Sequence, residues 1–458
     1  MNHNNNNYLF NEMPVKKAVL TMAVPTIIGQ LIVLIYSIAD TFFIGRTNNP
    51  SMVAAVSLIL PIFNIALPIA SIAGIGGGSL ISRLLGEDQK AEIRKVSSFC
   101  IYFSLFLGLL FSLFVLFYMK PLLILLGADS STLDYAMDYT TCVIVIGGIP
   151  TILSNVLSNL IRSIGESSKA GFGITMGGII NIILDPLFMF VILPTGKESL
   201  GAGIATCISN FITCLYFIII IIRLGSDSVI KLQPPGNIPA PSSIKMIFSV
   251  GVPSAIATFL FDFDYIVINK LMSAYGTESL AAIGIVLKAE RLPLNIGIGI
   301  CQGMVPLVAY NYSSHNFKRM NKVSNFSLLS GIVCSVISII IYELFAPQLI
   351  GCFIKDSLTV SYGTNFIRIR CLATLFMFMS FYHVHLFNSY GSGKTALFLG
   401  VMRWAVFNIP MLFILNHFIG MYGLVWSQLI ADILTVILSF IVHIKFIKKN
   451  KILNNTRN

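Results

Sequence analysis

Apolar runs long enough to cross a bilayer recur along the whole chain, and this feature removes most folds from consideration. A helix needs about 20 apolar residues to span the hydrocarbon core. In lipid every backbone N–H and C=O must find its partner inside the protein, so only helices or closed barrels can cross. Runs of this length specify helices. Composition agrees: 56% of the 458 residues are hydrophobic, 11% are charged, and the mean hydropathy is +0.85. Soluble domains carry about 25% charged residues. The first run, 18–44, is too long for a signal-peptide core and lacks a small-residue cleavage site. It reads as a retained helix.

Glycine, proline and charged breaks divide the apolar sequence into twelve helices. Six are expected at 18–44, 52–82, 97–126, 135–163, 170–193 and 201–224, and six more at 243–270, 279–309, 323–353, 360–388, 395–417 and 421–446. The fold class is therefore all-α integral membrane, with a cytoplasmic N-terminus (1–17), an N-lobe (18–224), a linker (225–242), a C-lobe (243–446) and a basic tail (447–458). The linker, "GSDSVIKLQPPGNIPAPS", is the longest polar, proline-rich gap.

The net charge of +11 is an orientation signal. Only Arg46, Lys120, Lys197, Lys270 and Lys355 fall in the odd-numbered loops; Lys288, Arg291, Arg368, Arg370 and Arg403 fall within spans. All other Lys and Arg occupy the termini and the even-numbered loops. The positive-inside rule then puts both termini in the cytoplasm. No nucleic-acid partner is needed to explain the charge.

The halves resemble each other at an offset near 227. "AVPTIIGQL" (23–31) recurs as "GVPSAIATF" (251–259), with Pro25 and Pro253 as candidate bend points in the first helix of each half. "SIGESSKA" (163–170) parallels "SYGSGKTA" (389–396). Six helices per half insert both halves with the same orientation. Such parallel repeats place a site at the lobe interface and suit alternating access.

Ionisable groups inside the spans are the functional candidates, because lipid makes them expensive. The N-lobe has Asp40 ("SIADTFFIG") and Asp185 ("NIILDPLFMF") and no deep Lys or Arg. Without a built-in counter-ion, these acids must carry a proton or recruit a cation. Asn181 sits one turn before Asp185 and faces the same way. Thr206 offers a hydroxyl on the next helix, and Pro186 frees a backbone carbonyl. These hard oxygen donors suit Na⁺ or a proton relay. The competing reading is a structural acid bonded to neighbouring hydroxyls.

The C-lobe holds five acids (Asp262, Asp264, Glu290, Glu343, Asp432) against the five in-span bases, which allows local pairing. Glu343, Arg368 and Arg370 are expected near the outer interface. Asp262 and Asp264 are two apart, about 200° around a helix, so at most one lines a cavity. The other is expected to pair with a base, Lys288 or Arg291. Asp262, Asp264, Lys288, Glu290 and Arg291 together make a candidate second cation or substrate site; a structural ion pair is the alternative.

Two motifs mislead. "GSGKT" (391–395) lacks the earlier glycine of a phosphate loop, since position 388 is Asn, and follows an apolar helix. "HVH" (383–385) puts two imidazoles on opposed helix faces. The eight cysteines lie singly in apolar runs and read as packing residues. No cofactor and no metal beyond transported Na⁺ is expected.

Taken together, "PTIIGQLIVLIYSIADTFFIG", "GGGSLISRLLGEDQ", "NIILDPLFMF", "GAGIATCISN" and "VPLVAYNY" resemble the multidrug and toxic compound extrusion (MATE) family over nearly the whole chain. The resemblance implies a V-shaped, two-lobed antiporter. It implies a cation site at Asp40, Asn181, Asp185 and Thr206, and a first helix that bends at Pro25. It also implies lipophilic, often cationic drugs as substrates, exchanged for H⁺ or Na⁺ across a bacterial cytoplasmic membrane. Each chain is expected to work as a complete transporter. Asp262 and Asp264 depart from the closest pattern. The rival with the same fold is a flippase for a lipid-linked oligosaccharide precursor, which needs cavity cations for a pyrophosphate. An intramembrane aspartyl protease is the rival of another class, and the six-plus-six repeat gives it no support.

Overall fold

The computed structural model describes residues 8–224, 229–231, 234 and 237–449. The Asn-rich start, part of the linker and the basic tail beyond 449 lie outside the described residues. Among those described there is no strand, as a bilayer-spanning chain of long apolar runs requires.

Ten helices are long and apolar enough to cross a membrane, and two bent pairs pass together, giving twelve spans when each pair counts as one. They are α1 (Val15–Gly45), α2 (Pro50–Gly86), α3 (Lys90–Leu125), α4 (Leu133–Ile146 with Gly148–Ser163), α5 (Ser167–Ile192) and α6 (Glu198–Arg223). Then follow α7 (Pro241–Tyr275), α8 (Thr277–Ser313), α9 (Phe317–Gly351), α10 (Ser357–Cys371 with Ala373–Ser389), α11 (Gly393–Ile419) and α12 (Met421–Lys449). Each overlaps a span expected from the sequence, and most run a few residues longer. Charged and polar residues, ignored by an apolar count, continue the helical hydrogen bonding beyond the oily core.

Local chemistry sets the ends. The Asn49 side-chain oxygen accepts from the backbone N–H of Ser51 (3.1 Å) and Met52 (3.3 Å), with Pro50 opening α2. Asp356 caps α10 by accepting from the Thr359 N–H at 2.8 Å. Proline accounts for three irregularities. α2 breaks at Ile65, just past the carbonyl that Pro68 cannot bond. α4 bends by 45° at Gly147, one turn before Pro150. α9 has a non-helical Phe345 (φ −112°, ψ 15°) two residues before Pro347. α10 bends by 44° at Leu372 with no proline nearby.

The chain forms two compact units. Among the described residues, unit 1 comprises 8–12 and Ile28–Ala255, and unit 2 comprises Met13–Ile27 and 256–449. The division therefore falls inside α1 and α7, not in the linker. Pro25 and Pro253 lie two residues before the last residue of each crossing segment, and both helices run on past their proline. Glycine permits the packing that holds the crossing segments. Within unit 2, a Cβ on Gly303 would lie 2.7 Å from the Ala23 backbone, and one on Gly299 would lie 2.6 Å from Ile27. Within unit 1, Gly76 and Gly251 meet in the corresponding way, a Cβ on Gly76 falling 3.1 Å from the Gly251 Cα.

Candidate functional site

The N-lobe candidates meet in unit 1. α5 carries Asn181 and Asp185 on one face, because four residues make about one helical turn. The Asn181 amide donates to Asp185 Oδ1 at 3.3 Å and to Thr206 Oγ1 of α6 at 3.3 Å. Asp185 is fully buried, Asn181 is 2% exposed and Thr206 8%. Asp40 of α1 lies near enough for its charge to act on Asp185. The Tyr139 hydroxyl of α4 lies close enough to Asp40 and to Thr206 to act on both. Hydrogen bonds thus link Asp185, Asn181 and Thr206, and Tyr139 and Asp40 gather beside them.

Three acceptors in this cluster have no donor: Asp40 Oδ1, Asn181 Oδ1 and Asp185 Oδ2 are buried and unpaired. Buried polar atoms are seldom left so. Two carboxyls and one amide oxygen without donors, in a cluster that holds no base, form a set of hard oxygens. Such a set can take a proton or bind a small cation.

Two tyrosines escaped the sequence reading. Tyr36 lies within electrostatic reach of both Asp40 and Asp185. Its position four residues before Asp40 was a readable signal. Tyr139 offered none, because only the bend in α4 and the packing of α4 on α6 bring it to the site. Irregular backbone frames the cluster: π-helical stretches occupy Thr141–Ile146, just after Tyr139, and Phe188–Ile192, just after Asp185 and Pro186. Such stretches are frequent at functional sites.

The C-lobe candidates part company in unit 2. Asp264 is 3% exposed and accepts from the Asn408 amide of α11 at 2.6 Å, so its partner is neither Lys288 nor Arg291. Lys288 is exposed. Arg291 stacks on the Tyr265 ring at 5.1 Å and acts electrostatically on the half-buried Asp262. Glu290 pairs with Arg370 at 2.9 Å, both almost fully buried. Arg370 therefore does not snorkel to an interface: Glu290 neutralises it in the interior. Arg368 and Glu343 form a looser, half-exposed pair at 3.7 Å. Asp432 pairs with Arg403 at 2.7 Å, and Arg403 also stacks on Phe381 and Trp404. The imidazole of His383 meets that of His443 rather than His385. Among the described residues no group of three His, Cys, Asp or Glu is placed to hold a metal.

Comparison with known proteins places this geometry in context. The family model described as MatE matches the chain twice, at residues 25–187 and 253–414, and the two starts are 228 apart. The chain is 31% identical over 435 residues to a protein of Staphylococcus saprophyticus named multidrug export protein MepA, covering 95% of each. It is 32% identical over 438 residues to the protein of the same name from Staphylococcus aureus strain MRSA252, again covering 95% of each. A solved structure described as the outward-facing conformation of a multidrug resistance MATE family transporter of the MOP superfamily superposes with a TM-score of 0.89. That match covers 98% of each chain at 21% identity, and it establishes the fold.

Proposed function

This chain belongs to the MatE family of membrane transporters, and from that premise we propose that it is a secondary active exporter that expels lipophilic, cationic drugs in exchange for H⁺ or Na⁺. Its setting is the bacterial cytoplasmic membrane, with both termini inside. Relatives covering nearly their whole length are named multidrug export proteins, which supports drugs as the cargo.

The coupling ion binds in unit 1, at Asp40 and Asp185, with Asn181 and Thr206 completing the site. One observation carries this reading: three buried acceptors, one on each of Asp40, Asp185 and Asn181, have no donor, and the two acids have no basic partner in the cluster. A bare carboxylate there is unfavourable. A proton or a cation removes the penalty, and the site then differs in charge between its loaded and empty forms. Asp40 and Asp185 act on each other electrostatically, with Tyr139 and Thr206 beside them, so an ion arriving at one changes the field at the other. Coupling further requires that the ion prefer one conformation, since equal binding to both would shift nothing. Drug leaves from the state that the loaded site favours.

The test is ethidium efflux from vesicles holding the purified protein, wild type beside Asp185→Asn, under a pH gradient and a Na⁺ gradient imposed separately. One gradient should drive export by the wild type and fail to drive it in the variant. Equal export by the variant would remove unit 1 from the coupling path.

A further inference from the structure

The first turns of α3 carry an aromatic face. Phe99, Tyr102, Phe103 and Phe106 are spaced i, i+3, i+4 and i+7, so they share one side of the helix. Phe99 and Phe103 stack with ring centroids 5.6 Å apart, and Phe248 of α7 closes on Phe103 edge-on at 5.3 Å. The linker lies against this end of α3 and is tied to it twice. The Lys231 carbonyl accepts from the Ser98 hydroxyl at 2.6 Å and from the Ser97 hydroxyl at 3.3 Å. Further on, the Ala240 N–H and the Ser243 hydroxyl donate to Glu92 Oε1 at 2.8 and 2.7 Å. Between the two ties, Pro234, Ile238 and Pro239 stand off from the helix and, with its aromatic face, line a cavity of about 290 Å³. The two prolines have no N–H with which to close onto α3.

Polarity is layered along this cavity. The aromatic residues open the apolar run of α3, and positive charge gathers where that run begins. Lys95 is half-buried and precedes Phe99 by about one turn. Lys231, also half-buried, has its backbone fixed to Ser98, which lines the cavity. Lys245 is exposed on α7, three residues before Phe248. Among the described residues none of these three lysines takes part in an ion pair. Glu92, three residues before Lys95, has one carboxylate oxygen committed to the linker. Lys95 and Phe106 are separated by ~16 Å along the helix axis. That is about half the ~30 Å thickness of the hydrocarbon core, the depth of one leaflet. The volume falls at the lower end of the about 300–1,000 Å³ of small-molecule sites, room for part of one lipid chain.

We propose that this cavity binds one anionic phospholipid from the leaflet at the linker end of α3. An acyl chain enters between the aromatic face and the linker prolines, and the phosphate lies among Lys95, Lys231 and Lys245. Charge selects the headgroup: basic clusters beside a span attract anionic lipids. The bound lipid bridges α3 and the linker, and binding to the folded state stabilises it by mass action. None of these residues belongs to the acid cluster of unit 1, and the site does not depend on ion-driven export.

Native mass spectrometry of the full-length protein tests this, with phosphatidylglycerol or phosphatidylcholine of identical chains added in detergent. The wild type should retain one phosphatidylglycerol per chain in preference to phosphatidylcholine. Each lysine changed to glutamine should weaken that preference about fivefold, the equivalent of about 1 kcal/mol for a basic residue near an anionic surface. Lys95→Gln/Lys231→Gln/Lys245→Gln should hold the two lipids nearly equally. Phe106→Ser, at an exposed position that tolerates a polar group, should lower retention of both lipids alike. Melting in detergent gives the second readout: phosphatidylglycerol should raise the wild-type melting temperature more than it raises that of the triple variant. Equal retention of the two lipids by the wild type, or an undiminished preference in the triple variant, overturns the proposal. So does Phe106→Ser holding both lipids as well as the wild type, or retention of added ethidium with neither lipid. The readout needs no ion gradient, so a failure here and a failure of gradient-driven export are distinguishable.

Discussion

The Arg403–Asp432 pair should behave as a buried salt bridge whose partners are far costlier to separate than to remove together. The two groups are 2.7 Å apart and their side chains are 3% and 0% exposed. At an effective dielectric of about 20, Coulomb's law gives an attraction of about 6 kcal/mol at that distance. Desolvation consumes much of it, so breaking such a pair by removing one member costs about 3–5 kcal/mol, while replacing both with apolar groups is close to neutral. A double-mutant cycle measures this. Arg403→Leu, Asp432→Leu and the double variant would be unfolded thermally in detergent and followed by loss of the monodisperse peak. Each single variant should be strongly destabilised, and the double variant should recover most of the loss. The Arg368–Glu343 pair is an internal control: at 3.7 Å and nearly half exposed it should show a coupling of about 0–1 kcal/mol. A coupling for Arg403–Asp432 no larger than that of the control would refute the reasoning. One complication has a definite sign: Gln428 also donates to Asp432, so Asp432→Leu strands an amide as well.

Other outcomes follow from the same geometry. Thr206→Val removes the hydroxyl that accepts from Asn181 and reaches Tyr139, and should weaken ion-driven efflux several-fold, in line with about 1 kcal/mol for one hydrogen bond, read as a higher ion concentration for half-maximal rate. Gly303→Val should abolish stable folding, since even a Cβ would lie 2.7 Å from Ala23, whereas Gly284→Ala, with nothing within 4 Å, should leave the melting temperature unchanged or higher. Cys352 is the exposed cysteine in the α9–α10 loop, so a membrane-impermeant maleimide added to intact cells should label it, and Cys352→Ser should lose the label; labelling only after permeabilisation would reverse the topology. In the α3–α4 loop, hydrogen bonds from Ser131 and Thr132 hold Asp129 below its ordinary pKa of 3.8. A depressed carboxylate stabilises the fold above its unfolded pKa and loses that effect as pH falls through the folded value. The melting-temperature gap between wild type and Asp129→Ala should therefore be full at neutral pH and close as the buffer is acidified well below pH 4.

Much of this protein could be read from the order of its residues. Bilayer physics couples span length to helix, so each apolar run specified an element before any contact was known. Asn181 and Asp185 were legible as a pair because helical periodicity alone puts residues four apart on one face. The same rule carries no information across helices. Nothing in the sequence near Tyr139 points to Asp40. Nothing near Asp264 points to Asn408, 144 residues away, because charge singles out bases and never a neutral amide. The prolines were visible, but the break at Ile65 and the bend at Gly147 lie at positions set by missing hydrogen bonds, outside the reach of an apolar count.

The sequence by itself determined that the chain spans a membrane as twelve helices in two related halves, and which acids had no local base. Both follow from solvent exclusion and periodicity, which act along the chain. Tertiary structure alone decided which groups satisfy one another. It gathered Asp40 and Asp185 with Asn181, Thr206 and Tyr139 and left three acceptors unfilled. It divided the units inside α1 and α7 rather than at the linker. Hydrogen bonds and ion pairs act over a few ångströms in space, and proximity in space is fixed by packing rather than by separation along the chain.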